Sequence, residues 1–191
     1  MKALLLNGTL EQDSDIDKIY SSIVDKLESK GFEIDSILLR DLNVAACQGC
    51  FDCWVKNPGE CRTADYGREV AKKMVQSDLI IHFTPITFGG YSSELKKVID
   101  RFLPTILPFF TKREEETHHL YRYQNRASII AIGFLNNQDE EKEQVFKELI
   151  YRNSLNMGAP IHKAIIFFKN QNESEFLEKF NTILQKVEVK T

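Results

Sequence analysis

Four cysteines, Cys47, Cys50, Cys53 and Cys61, lie within the stretch ACQGCFDCWVKNPGEC and are all the chain contains. Their spacing, C-x2-C-x2-C-x7-C, sets three thiols at successive three-residue intervals and brings the fourth in after a Pro-Gly turn. A run this compact suits the thiolate ligands of a 4Fe-4S cluster, whereas structural zinc more often takes two separated pairs. The remaining possibility is that the thiols line a loop and bind nothing. Phe51 and Trp54, inside the run, would shield a bound group from water or simply pack.

Such a run needs a rigid frame, and the hydrophobic pattern describes one. Residues 2–8 (KALLLNG) read as a buried strand, and Ile16, Ile19, Tyr20, Ile23, Val24 and Leu27 follow at helical spacing, with Gly31 as the stop. The alternation recurs with a strand at 33–40, a helix near 66–77, a strand at 78–86 and a helix from Ser93 to Leu103, which Pro104 and Pro108 should end. After a polar stretch at 113–126 come a strand at 127–134, a helix opening on Asp139, Glu140 and Glu141, a strand at 162–168 and a last amphipathic helix containing Phe176, Leu177, Phe180, Ile183, Leu184 and Val187. Five β/α units predict an α/β, flavodoxin-like, doubly wound five-stranded parallel sheet in the order 2-1-3-4-5, with helices on both faces. We read residues 1–191 as a single domain with a cysteine-bearing insertion near 44–65.

The 25 basic and 28 acidic residues leave a net charge of -3 with both signs dispersed, so no field draws in nucleic acid or an anionic membrane. The N-terminal apolar run is too short for a signal peptide, and no segment approaches the roughly 20 apolar residues of a membrane span. A cytoplasmic location is expected, where thiols stay reduced.

In an open parallel sheet, ligands sit beyond the carboxyl ends of the strands near the switch in strand order. Three loops occupy that position. The first, 7–15 (NGTLEQDSD), leads into a helix N-terminus, whose free N–H groups suit a phosphate. The second, 84–101, combines Pro85 and the Gly89-Gly90 pair, which admits a flat ligand to the backbone, with Ser92 or Ser93 as a helix cap. The third, 133–141, is polar and is either a solvated loop or a source of amides for a ring edge.

With CQGCFDCW, Cys61, Asp65 and SDLIIHFTPITFGGYSSELKKVIDRF in place, the chain resembles the flavodoxin-like NAD(P)H-dependent FMN reductases and, within them, the iron-sulfur flavoproteins. The likeness runs from the first strand to about residue 110 and is most specific over 47–102. It implies an FMN-dependent oxidoreductase, homodimeric or homotetrameric, with NAD(P)H as substrate and a small-molecule or protein electron acceptor. By the same resemblance, Gly8, Thr9 and Ser14 would contact the phosphate, and Pro85, Ile86, Thr87, Phe88 and Gly89 would lie beside the flavin ring. Some family members hold a 4Fe-4S cluster on the cysteine run. Lys96, Asp100 and Arg101 match the family's helix signature, and we assign them structural roles. No side chain is nominated as acid or base, because the flavin carries the chemistry. The alternative from another class is a non-enzymatic electron carrier or protein-binding module.

Two departures stand out. Relatives commonly place a basic residue in the first loop and an aromatic at the position of Thr87, whereas this first loop carries Glu11, Asp13 and Asp15. A carboxylate about 8 Å from a phosphate charge costs roughly 2 kcal/mol at an effective dielectric near 20, while a helix N-terminus returns about 0.3 to 2 kcal/mol. The loop is therefore expected to bind FMN weakly unless its acids turn to water. His82 interrupts a buried strand and His162 precedes another, while His118 and His119 are expected in an exposed segment without carboxylate or thiol partners. The apolar run 106–110 (ILPFF) reads as a subunit contact, a cover over the flavin, or core.

Overall fold

The computed structural model describes residues 1–113, 115–169 and 171–188. In chain order its elements are β1 (Lys2–Asn7), α1 (Ser14–Ser29), β2 (Glu33–Leu38), α2 (Asp52–Val55), α3 (Tyr66–Gln76), β3 (Leu79–Pro85), α4 (Ser93–Asp100), β4 (Ile106–Arg113), β5 (Glu116–Tyr121), β6 (Ser128–Leu135), α5 (Glu140–Met157), β7 (His162–Phe168) and α6 (Glu173–Glu188). Five parallel strands form one sheet in the order β2-β1-β3-β6-β7. Counted without the separate β4-β5 hairpin, this is the expected order 2-1-3-4-5.

Alternation along the strands sorts the core into two clusters. Ala3 and Leu5 of β1 pack with Ile16, Ile19, Ile23 and Leu27 of α1 and with Phe176, Phe180 and Leu184 of α6. Leu4 and Leu6 belong to a second cluster with Val70 and Met74 of α3, Leu95 and Val98 of α4, and Phe146 and Ile150 of α5. β1 and β3 are buried along nearly their whole length, as strands covered on both surfaces must be. Among the described residues, no helix is long and apolar enough to cross a membrane.

Three expectations are corrected. α4 ends at Asp100, not Leu103: Arg101 caps it, and a 3-10 turn over Leu103–Thr105 follows with Pro104 in its first positions. Pro104 has no N–H to give the Asp100 carbonyl and its ring crowds that carbonyl, so the α-helix cannot run on through it. The second strand ends at Leu38, and Leu39–Asp41 turn in a 3-10 step that carries Arg40 off the sheet. The stretch read as polar at 113–126 contains β5, which pairs antiparallel with β4, Thr111 opposite His118 and Arg113 opposite Glu116.

Candidate functional site

At the carboxyl end of β1, Asn7 is buried and its carboxamide oxygen accepts from both the amide (3.0 Å) and the hydroxyl (2.8 Å) of Thr9, folding the chain back on itself. The Gly8 amide donates to the Phe83 carbonyl of β3 at 2.7 Å. A Cβ on Gly8 would lie 2.8 Å from both Leu95 Cβ and Ser92 Oγ, so only glycine lets this loop sit so close to the start of α4. Ser14 opens α1 with an exposed side chain. Asp13 is the N-cap, its carboxylate accepting from the amides of Asp15 (3.0 Å) and Ile16 (3.4 Å).

Cations reach the acidic loop from elsewhere in the sequence. Lys169, just past β7, donates to Asp13 Oδ2 at 2.8 Å, and this hydrogen bond holds the Asp13 carboxyl below its ordinary value and raises the lysine. Arg40, just past β2, donates through Nη1 to Thr9 Oγ1 at 2.6 Å and to the Glu11 carbonyl at 3.1 Å. β1 and β2 are parallel neighbours with Asn7 level with Leu38, so the second residue beyond each strand meets the other.

The second loop leaves β3 at Pro85. Thr87 and Gly90 exchange both backbone hydrogen bonds (3.0 and 2.8 Å), closing a two-residue turn in which Phe88 (φ 50°) and Gly89 (φ 78°) are both left-handed. That is the signature of a type I′ turn. Phe88 stands at the tip, 94% exposed, and Gly89 presses against Val145 of α5, where a Cβ would come within 2.6 Å of Cγ1. Ile86, by contrast, is buried in the core against Gly133, and its amide donates to the Phe134 carbonyl at 3.0 Å. Ser92 is the N-cap of α4, and its own amide donates to Thr84 Oγ1 at 2.9 Å. In the third loop Asp139 caps α5 by accepting from the Lys142 amide at 3.0 Å.

All four cysteines line one small cavity, together with Arg62, Thr63, Asp100, Arg101, Leu103 and Pro104. Cys53, on α2, is buried, Cys50 is exposed, and Cys47 and Cys61 are intermediate. Burial first, and then the neighbouring Cys61, Cys47 and Cys50 sulfurs, push the Cys53 thiol up. Among the described residues, no group of three or more His, Cys, Asp or Glu side chains is arranged as a metal cage. As a donor set, four thiols on one cavity suit a thiolate-held cluster.

A buried ion pair closes the ends of the cysteine segment. Arg101 binds Asp65 through both forks, Nη1 to Oδ2 at 2.9 Å and Nη2 to Oδ1 at 2.7 Å, with only 3% and 8% of the side chains exposed. The same guanidinium donates to the carbonyls of Ala45 (2.9 Å) and Thr63 (3.2 Å), on either side of the run. Asp65 also accepts from the Ala45 amide at 2.8 Å and caps α3. Arg68 of α3 clips the Cys61 carbonyl at 2.8 Å.

The histidines differ in part from expectation. His118 is buried, hydrogen-bonded to Asn156 at 3.0 Å and 3.4 Å from the Glu116 carboxylate. His119 lies between Trp54 (4.9 Å) and Phe110 (4.6 Å), joining the hairpin to the cysteine segment. Pairing with β4 and contact with α5 bury His118 alone among the β5 residues, which a charged sequence concealed. His82 is fully buried as expected, and burial lowers it to about 4, so it stays neutral.

The open parallel sheet with its order reversing at β1 and β3, and two loops meeting at that switch point, defines a flavodoxin-like α/β protein. A family model described as NADPH-dependent FMN reductase matches residues 1–121, and the chain belongs to that family. The match spans the first loop, the cysteine run and the second loop. Among curated relatives, an iron-sulfur flavoprotein of Methanocaldococcus jannaschii is 31% identical over 109 residues, 57% of this chain and 55% of that protein. Another iron-sulfur flavoprotein, from Archaeoglobus fulgidus, is 29% identical over 104 residues, 54% of this chain and 46% of its own length. The chain thus spans about half the length of the curated relatives it matches. The fold is shared with an NAD(P)H:quinone oxidoreductase from Methanothermobacter marburgensis, at a TM-score of 0.69 and 11% identity, covering 98% of this chain and 97% of that one.

Proposed function

We propose that the protein is an FMN-dependent oxidoreductase of the iron-sulfur flavoprotein type, taking electrons from NADH or NADPH and delivering them to a small-molecule or protein acceptor. One observation carries the reading: at Gly8 the phosphate-type loop and the start of α4 are pressed together, with the Gly8 amide on the Phe83 carbonyl and Leu95 and Ser92 against its Cα. That closeness brings the first loop to the foot of the loop carrying the Thr87–Gly90 turn, at the switch point of the sheet, where an open parallel sheet would take an anionic ligand. Bound FMN would supply the hydride-accepting ring and its onward electron chemistry, and a 4Fe-4S cluster on Cys47, Cys50, Cys53 and Cys61 would supply a one-electron relay.

The chain's own part is position and electrostatics. Gly8 and Thr9 shape the first loop, their amides held by the Phe83 carbonyl and the Asn7 side chain, and Ser14 stands exposed at the helix entrance, where it would meet a phosphate. Pro85, Thr87, Phe88 and Gly89 present the turn to a ring edge, and the buried Ile86 supports that turn from below. Arg101 and Asp65 fix both ends of the cysteine segment, so that four thiolates would be gathered at little entropic cost.

Anaerobically purified protein, titrated with FMN and assayed for iron, tests the reading. Saturable FMN binding, NAD(P)H oxidation by the loaded protein and about four irons per chain are expected, since a cubane presents four iron corners. No FMN binding to folded protein would overturn the flavin assignment. FMN binding without NAD(P)H turnover would leave an electron carrier. Absence of iron would reduce the cysteines to loop lining.

A further inference from the structure

We propose that Arg40 is the anion-recognition residue of the first loop, its guanidinium taking the terminal phosphate of FMN and setting a preference for phosphorylated over unphosphorylated flavin. The inference rests on the flavin reading above and adds to it a residue from outside the matching motifs.

The hydrogen-bond directions at Thr9 carry it. An arginine can only donate, so the 2.6 Å contact from Arg40 Nη1 occupies a lone pair of Thr9 Oγ1. The Thr9 hydroxyl proton then goes to the Asn7 carboxamide oxygen, 2.8 Å away, the same oxygen that already receives the Thr9 amide. The hydroxyl that the family pattern would aim at a phosphate is thus committed inward. Arg40 remains as the donor at that point. Its second contact, to the Glu11 carbonyl at 3.1 Å, uses Nη1 again, and neither Nε nor Nη2 has an acceptor among the described residues. The free edge of a planar fork matches two phosphate oxygens.

Charge supports the same assignment. The first loop carries Glu11, Asp13 and Asp15 and no cation of its own. Lys169 is committed to Asp13, which in turn holds the first amides of α1. Arg40 contacts the loop without a carboxylate partner in any described ion pair, so its charge is available to a ligand. It is also partly exposed and can turn toward one.

FMN and riboflavin binding, followed by quenching of flavin fluorescence, separate recognition from simple bracing of the loop. The parent should bind FMN more tightly than riboflavin, and more weakly as salt is raised. Arg40→Gln should weaken FMN by about 10- to 100-fold, flatten that salt dependence, and leave riboflavin within about twofold. Arg40→Lys, which keeps the charge and loses the fork, should fall between for FMN and again spare riboflavin. Equal losses for both flavins in either variant would make Arg40 a brace and overturn the proposal, as would unchanged FMN affinity in Arg40→Gln. A parent that binds both flavins equally well would also sink Arg40's role while leaving the flavin reading intact. Folded parent that binds neither flavin would remove both.

Discussion

Arg101 is the helix-signature residue that ties the cysteine segment to the sheet domain. Its charge lies at the wall of the cysteine cavity, and Nη1 and Nη2 donate to both Asp65 oxygens and to the two carbonyls that bracket the run, while the buried Nε has no acceptor among the described residues. Burial alone would push the Asp65 carboxyl up; the hydrogen bonds from Arg101 and the Ala45 amide, with the arginine's charge, outweigh it and hold the carboxyl below its ordinary value. A carboxyl depressed in the folded state contributes stability that is complete above the unfolded value of about 3.9 and is lost as pH falls through the folded value. Asp65→Asn leaves Arg101 buried without its counter-charge, a loss of about 3 to 5 kcal/mol at neutral pH. Urea unfolding should show this deficit at pH 7 and a shallower decline below pH 4 than in the parent. If the variant and parent differ by the same amount at pH 7 and at pH 2, the pair is not ionised in the folded protein.

At the level of elements, the β4-β5 hairpin is the part of the fold that does not belong to the main sheet. Two strands alone are marginal in water, so its order has to come from anchors. The indole Nε1 of Trp54 donates to the carbonyls of both Leu103 and Ile106 (3.1 Å each), His119 packs on the same indole, and Tyr121 donates to the Leu155 carbonyl at 3.1 Å. Trp54→Phe keeps the ring and removes the shared hydrogen bond. Amide exchange should then accelerate across β4 and β5 while β1 and β3 keep the protection of the parent. A uniform acceleration would mean that the indole supports the whole domain. The hairpin also marks where sequence reading gave out: residues 106–121 lack a glycine or asparagine turn signal, and the inward face of β5 is made of His118 instead of an apolar residue. Strands β1, β3 and β6 were plain because burial on both surfaces leaves continuous apolar runs. Arg40 was invisible for a different reason. Only the pairing of Asn7 with Leu38 shows that a residue 31 positions from Thr9 in sequence is its neighbour in space.

The strand order matters most at the scale of the molecule, because it brings three sequence-distant stretches to one end of one sheet: the first loop, the turn after β3 and Arg40. The apolar surface of α2 and β4 belongs to the same scale. Val55 of α2 and Phe109 of β4 are 75% and 63% exposed, and Phe51 and Phe110, at 48% and 67%, are joined through Trp54 and His119. Exposed apolar side chains grouped in this way are costly in a monomer and ordinary in a subunit contact. The expectation of a homodimer or homotetramer therefore assigns this aromatic patch to self-association. Light scattering at micromolar concentration should give a mass at least twice the 22.1 kDa of one chain. Val55→Glu combined with Phe109→Glu should return the monomer mass without lowering the melting temperature, because neither side chain belongs to a buried cluster. A parent that runs as a monomer would assign the patch to another partner. An oligomer that survives the double substitution would place the contact on a different face.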